Sequence, residues 1–138
     1  MPHGREIRLQ TKGHSDIINI TDKVEEIVAS SGIAEGIAAV FAVGSTASIT
    51  TIEYEPALVA DFKDELERFI PESKTTRHGS TWGDDNGFSH LRASFMGPGI
   101  TVPVSGKQLI LGTWQQIVVV DHDNRPRSRK VFVQVVGE

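Results

Sequence analysis

The fold turns on three consecutive stretches: Trp114-Gln115-Gln116-Ile117-Val118-Val119-Val120-Asp121, the polar run from His122 to Arg129, and Val131-Phe132-Val133-Gln134-Val135-Val136. The two apolar segments are short and rich in β-branched residues, which suits strands better than helices. The pattern predicts strands over 114–121 and 131–136, paired across the 122–129 loop. Toward the N-terminus, Leu109 to Leu111 and Ile100 to Val104 read as two more strands, joined by a hairpin turn at Ser105-Gly106-Lys107. Ile37 to Val43 is a continuous apolar run, expected as a buried strand, and Ile49-Thr50-Thr51-Ile52 follows as another. Residues 5–11 alternate polar and apolar, and Asp16 to Ile20 reads as a short strand.

Helical spacing marks the intervening segments. Thr21 reads as an N-cap before the stripe Val24, Ile27 and Val28, with Gly32 as the stop. Pro56 suits the first turn of a second helix carrying Leu58, Phe62, Leu66 and Phe69 on one face, ended by Pro71. Ser89 is placed to cap a short third helix through Leu91, Ala93 and Phe95, stopped by Gly97-Pro98. The expected fold is one α+β domain over residues 1–138: a sandwich of mixed β-sheet, with seven or eight strands and two or three helices.

The chain has 138 residues, of which 38% are hydrophobic and 23% charged, as a globular domain requires. It has no cysteine, which removes disulfides, thiolate nucleophiles and sulfur-ligated metals. A net charge of −4 argues against a nucleic-acid partner, with Arg125, Arg127, Arg129 and Lys130 as a local basic exception. No apolar run is long enough to span a bilayer, and the N-terminus lacks the apolar core of a signal peptide. The expectation is a cytoplasmic protein with a small-molecule or protein partner, and neither membrane nor nucleic acid.

Residues 72–86 change to Ser, Thr, Gly, Asp and His and are expected as a long loop. Within and just beyond them lie His78, Asp84, Asp85, Asn86 and His90, types that serve as general bases or metal ligands. The same residues also build plain turns, and their spacing matches no named metal motif. Gly44-Ser45-Thr46-Ala47-Ser48 offers amides and hydroxyls suited to a phosphate, or an ordinary turn. In Gly112-Thr113-Trp114-Gln115-Gln116, Trp114 can stack on a ring while a glutamine reads its polar edge; core packing of Trp114 is the plainer alternative. The arginines of 125–129 suit a phosphate or a carboxylate partner, held through bidentate guanidinium contacts, or a solvated hairpin tip.

The run His90-Leu91-Arg92-Ala93-Ser94, then Gly97-Pro98, Thr101-Val102-Pro103-Val104 and Gly112-Thr113-Trp114-Gln115-Gln116-Ile117, resembles the YjbQ family. Asn124-Arg125-Pro126-Arg127-Ser128-Arg129, the closing Gly137-Glu138 and Ser45-Thr46-Ala47-Ser48-Ile49 extend the resemblance over nearly the whole chain. It implies a small α+β sandwich assembled as a homotrimer. The activity it implies is that of a secondary thiamine-phosphate synthase, which joins a pyrimidine methyl diphosphate to a thiazole phosphate and releases pyrophosphate. On that reading His78, His90, Asp84 and Asp85 are catalytic, and Ser45, Thr46, Asn86, Ser94, Thr113, Trp114 and Gln115 hold a small phosphorylated metabolite. A divalent metal, Mg or Zn, on His78 and His90 is the implied cofactor. The 78–90 and 112–116 segments are expected to line one pocket, at a subunit boundary or within the chain. Many members carry His where this chain has Gly44, and often His where it has Phe88. Two rival readings stand beside this one: a non-catalytic trimeric protein binding metal or a phosphometabolite, and a hydrolase of another phosphorylated metabolite.

Overall fold

The computed structural model describes residues 2–83 and 85–138. In chain order the elements are β1 (His3–Thr11), β2 (Asp16–Asn19), α1 (Thr21–Ser31), β3 (Gly36–Ala42), β4 (Ala47–Ile52), α2 (Pro56–Phe69), α3 (Arg77–Trp82), α4 (Gly87–Met96), β5 (Gly99–Ser105), β6 (Gln108–Leu109), β7 (Gln116–Asp121) and β8 (Arg127–Gly137). They form two sheets, one of five strands in the order β1-β8-β3-β5-β6 and one of three in the order β2-β7-β4. Every pairing is antiparallel, so the expected mixed sheet gives way to two antiparallel ones.

The pairing of 114–121 with 131–136 is also corrected. β7 lies between β2 and β4, whereas β8 lies between β1 and β3 in the other sheet. What separates them is the chemistry of the connection. Asp121, His122 and Asp123 are all fully buried, and their hydrogen bonds carry the chain from one sheet to the other instead of closing a hairpin. The Ser105-Gly106-Lys107 turn does close the β5–β6 hairpin, with Gly106 and Lys107 both at positive φ.

Burial explains the two apolar runs. Ile117, Val118, Val119 and Val120 are all completely inaccessible, because β7 is the middle strand of a sheet covered on both faces. Ile117 and Val119 face the core between the sheets, with Val40, Val131, Val133 and Val135. Val118 and Val120 face outward onto Leu66, Phe62 and Met96 of α2 and α4. Each such side chain contributes roughly 1.5–3 kcal/mol, so this strand anchors the fold. β3 differs from the expectation: Ala38, Val40 and Ala42 are buried, but Ile37 and Phe41 remain 47% and 48% exposed on the open face of the large sheet.

Four helices are present among the described residues. α1 ends at Gly32 in the left-handed conformation, as the spacing predicts, but Ile20 occupies its cap position and Thr21 lies inside it. Pro56 opens α2, whose cap is the Glu55 carboxylate. Phe69, expected on its buried face, is instead 61% exposed. The segment 72–86 is not all loop: Thr76 accepts a hydrogen bond from the Gly79 amide and starts α3. α4 begins at Gly87 after Asn86, two residues before the expected Ser89 cap. No described helix is long and apolar enough to cross a membrane.

Candidate functional site

α3 and α4 bring His78 and His90 together. Their ring centroids are 4.6 Å apart, with the planes tilted by 43°. Thr76 fixes the start of α3 two residues before His78, and its side chain packs directly on Gly87 at the start of α4. The two imidazoles therefore sit on short helices whose first turns are locked together. They share a cleft of about 500 Å³, also lined by Lys74, Thr75, Thr76, Arg77, Gly87 and Leu91. Among the described residues no group of three His, Asp or Glu side chains assembles as a metal site. Asp84 lies outside the described residues. Asp85 is exposed and lines a neighbouring depression with Glu72 and Ser80.

Asn86 ties this cleft to the buried crossover. Its amide Nδ2 donates to Asp123 Oδ1 at 3.4 Å, and the Thr46 hydroxyl donates to Asp123 Oδ2 at 3.0 Å. Asp123 thus holds the 43–46 turn and the start of α4 in one network. Arg127 Nε also donates to this carboxylate, at 2.9 Å. Burial acts to raise the Asp123 carboxyl, but the Asn124 amide, the Thr46 hydroxyl and Arg127 outweigh it and hold the group below its ordinary value. Asp121 behaves alike: burial pushes up, while Arg129, the Thr11 hydroxyl and the Asp123 amide pull further down. His122 Nε2 lies 2.9 Å from the Ser48 hydroxyl. Burial first, then the cations of Arg92 and Arg129, push His122 down to about 4 against the pull of Asp121, so it is neutral near pH 7.

These placements sort the expected site residues. His78, His90 and Asn86 gather at one end of the molecule. Thr46 is buried there, its hydroxyl engaged by Asp123 and Arg129, while Ser45 beside it is exposed. Arg127 and Arg129, read as ligands for a phosphate or a carboxylate partner or as a solvated tip, are engaged by the chain's own carboxylates Asp123 and Asp121. Ser94 donates back to the His90 carbonyl. Thr113, Trp114 and Gln115 form an exposed turn ahead of β7, where Gln115 Nε2 donates to Thr51. Trp114 is 71% exposed, which removes the core reading. Gln116 and Asp121 stand at opposite ends of β7, roughly 17 Å apart at strand rise. Within one chain, therefore, the 112–116 segment and the histidine cleft do not line one pocket. A depression of about 700 Å³ near α1 and β6 contains Asp22, Glu25 and Glu26 but no imidazole.

The reading of the sequence missed the trio Asp121-His122-Asp123. Its signal was present: three ionisable residues directly following four aliphatic ones, where a simple hairpin would place solvated turn formers. The two departures from the family pattern also acquire a structural account. A Cβ at Gly44 would come within 2.8 Å of Arg129 Nη1, so the guanidinium fills the room a larger side chain would use. Phe88 is buried beneath Arg92, whose Cζ lies 5.0 Å from the ring centroid, and does not face the cleft.

Fold and cleft together define a small antiparallel sandwich with one helical flank bearing paired histidines. The chain belongs to the UPF0047 YjbQ-like family, whose sequence profile matches residues 5–138. A UPF0047 protein from Methanothermobacter thermautotrophicus is 38% identical over 134 residues, covering 97% of this chain and 92% of its own. The crystal structure of a YbjQ-like protein of unknown function from Sulfolobus solfataricus superposes with a TM-score of 0.95 at 35% identity, covering 100% of this chain and 99% of that one. A hypothetical protein from Aeropyrum pernix gives 0.89 at 27% identity, with 98% of each chain covered.

Proposed function

We propose that the protein is a transferase of the thiamine-phosphate synthase type, acting on a diphosphate ester in the α3–α4 cleft. The observation that carries this reading is the imidazole pair at 4.6 Å in a cleft whose described lining offers hydroxyls and cations. In the reaction, the C–O bond to the diphosphate breaks with its electron pair on oxygen. A ring nitrogen of the acceptor supplies the pair for the new C–N bond, and pyrophosphate departs. Both imidazoles line the cleft, where one of them can deliver a proton to the departing oxygen. His90 is assigned as the acid and His78 as its partner.

The family resemblance also implies a homotrimer. The open face of the large sheet supports it, because Ile37, Phe41, Phe132 and Val136 are each 39–48% exposed there. β-pairing sets Phe41 beside Phe132 and Ile37 beside Val136 in one apolar patch, the kind of surface that marks protein contacts. In such an assembly Trp114 of one copy is available to a neighbour's cleft.

The test is pyrophosphate release from the pyrimidine diphosphate, with and without thiazole phosphate and with Mg or Zn. Wild-type turnover should fall by roughly 10²–10⁴-fold in His90→Asn, which keeps hydrogen-bonding capacity but removes the titratable ring. Turnover unchanged in that variant would remove His90 from the mechanism. Absence of release in wild type would leave only binding.

A further inference from the structure

We infer that Lys74 and Arg77 form the anion clamp of the α3–α4 cleft and that the group they hold is a diphosphate. The inference rests on the transferase reading and deepens it by naming the residues that take the leaving group. Neither residue figures among those expected from the sequence.

The first support is charge pairing. Arg8, Arg68, Arg92, Arg127 and Arg129 each lie against a carboxylate. Lys74 and Arg77 have no ion-pair partner among the described residues, though both line the cleft beside His78 and His90. No described carboxylate shares that lining. Arg5 and Arg125 also lack an ion pair among the described residues, so what singles out Lys74 and Arg77 is their place in the cleft lining beside two imidazoles, although Lys74 also borders the depression that holds Glu72 and Asp85.

The second support is that the backbone is fixed at both positions. The Lys74 amide donates to the Pro71 carbonyl at 3.0 Å, fixing the turn that leads into the cleft. Arg77 is the first residue of α3, directly after the Thr76 cap. The two side chains differ usefully. The guanidinium fork engages two oxygens of one phosphoryl group, while the ammonium serves as a point charge for the other. As the C–O bond breaks, the charge that appears on the leaving oxygen is met by these cations and by the proton of the imidazole pair.

The experiment is isothermal titration of the purified protein with inorganic pyrophosphate, orthophosphate and sulfate, at low and moderate salt. Lys74→Ala, Arg77→Ala and, as a control, Arg5→Ala are titrated alongside wild type. Pyrophosphate should bind wild type more tightly than either single anion, and more weakly as salt rises. Lys74→Ala and Arg77→Ala should each lose about 10-fold or more in pyrophosphate affinity, the loss expected of a charge-assisted hydrogen bond. Arg5→Ala, at an exposed cation outside the cleft lining, should retain that affinity. Pyrophosphate binding that ignores both cleft substitutions would overturn the clamp while leaving the His90 assay to judge the transferase reading. No pyrophosphate binding to wild type at millimolar concentration would also overturn it.

Discussion

The Arg129 guanidinium grips the Asp121 carboxylate through two bonds, Nε to Oδ2 at 2.7 Å and Nη2 to Oδ1 at 2.9 Å. Asp121 is fully buried and its partner only 10% exposed. This pair sits where the chain passes from β7 toward β8, so it anchors the crossover between the two sheets. Removing one member leaves an uncompensated buried charge, which typically costs about 3–5 kcal/mol. Arg129→Leu should lower the free energy of urea unfolding by that amount. Arg129→Lys should recover only part of it, since an ammonium cannot reproduce the fork. A loss below about 1 kcal/mol for Arg129→Leu would mean that water, not Arg129, satisfies Asp121.

Acid should weaken the fold in two separable windows. His122 is held at about 4, against about 6.5 in an unfolded chain. Above pH 6.5 both states are neutral and the residue is silent. As pH falls from 6.5 to 4 the unfolded state takes up a proton that the folded state refuses, and stability drops by about 3 kcal/mol. Asp121 and Asp123 are held below their ordinary values, so their contribution is intact above pH 4 and is lost only at lower pH. Urea midpoints measured from pH 7 to 4 should therefore decline in wild type. The decline should flatten in His122→Gln, and an unchanged slope there would rule out His122 as its source.

The strands and three of the four described helices were legible because their signals are local. Val118 and Val120 are as apolar as Val119 because helices cover the outer face of β7, and a continuous run is what such a strand shows. The same signal misleads at β3, where Ile37 and Phe41 face outward: sequence cannot say whether an apolar face meets the core or another surface. Sheet membership was illegible for a different reason. Whether 122–126 closes a hairpin or crosses between sheets depends on Arg129 reaching Asp121 and Arg127 reaching Asp123, and no hydropathy pattern encodes those bonds. At the site, His78 and His90 were found from residue type and loop composition. Lys74 and Arg77 stayed hidden because only the folded chain shows which cations line the cleft beside the two imidazoles.

The open sheet face gives a direct test of assembly. Glu6, Phe132, Phe41 and Gly99 form one row across the outer surface through the β1–β8, β8–β3 and β3–β5 pairings. Phe41 lies over Gly99, and a Cβ there would meet its ring at 3.1 Å. Phe41→Asp puts a charge at the centre of the patch without disturbing the inter-sheet core. Light scattering should report a trimer for wild type and a monomer for Phe41→Asp, with unfolding free energy per chain lowered in the variant. A wild-type monomer at micromolar concentration would end the trimer proposal.

Gly87 offers the sharpest test of how the cleft is built. Alanine at the first turn of a helix is ordinarily favoured over glycine by up to about 1 kcal/mol, so Gly87→Ala in open space would stabilise. Here a Cβ would stand 2.1 Å from Thr76 Oγ1 and 2.8 Å from both Thr76 Cβ and Cγ2. The hydroxyl can rotate away, but Thr76 Cβ is fixed to its backbone and must be pushed. Displacing Thr76 also breaks its bond with the Gly79 amide, uncapping α3 and moving His78 relative to His90. Overpacking of this kind costs about 1–3 kcal/mol, so the clash should decide the sign and Gly87→Ala should destabilise. Thr76→Gly removes all three contacting atoms at the cost of the cap side chain, about a few tenths of a kcal/mol when glycine takes the position. In that background Gly87→Ala should cost little or even stabilise, so the two changes should be strongly non-additive in a double-mutant cycle read by urea unfolding. Additive losses would show that α3 and α4 are not locked through Thr76 and Gly87, and the imidazole pair would then need another explanation for its closeness.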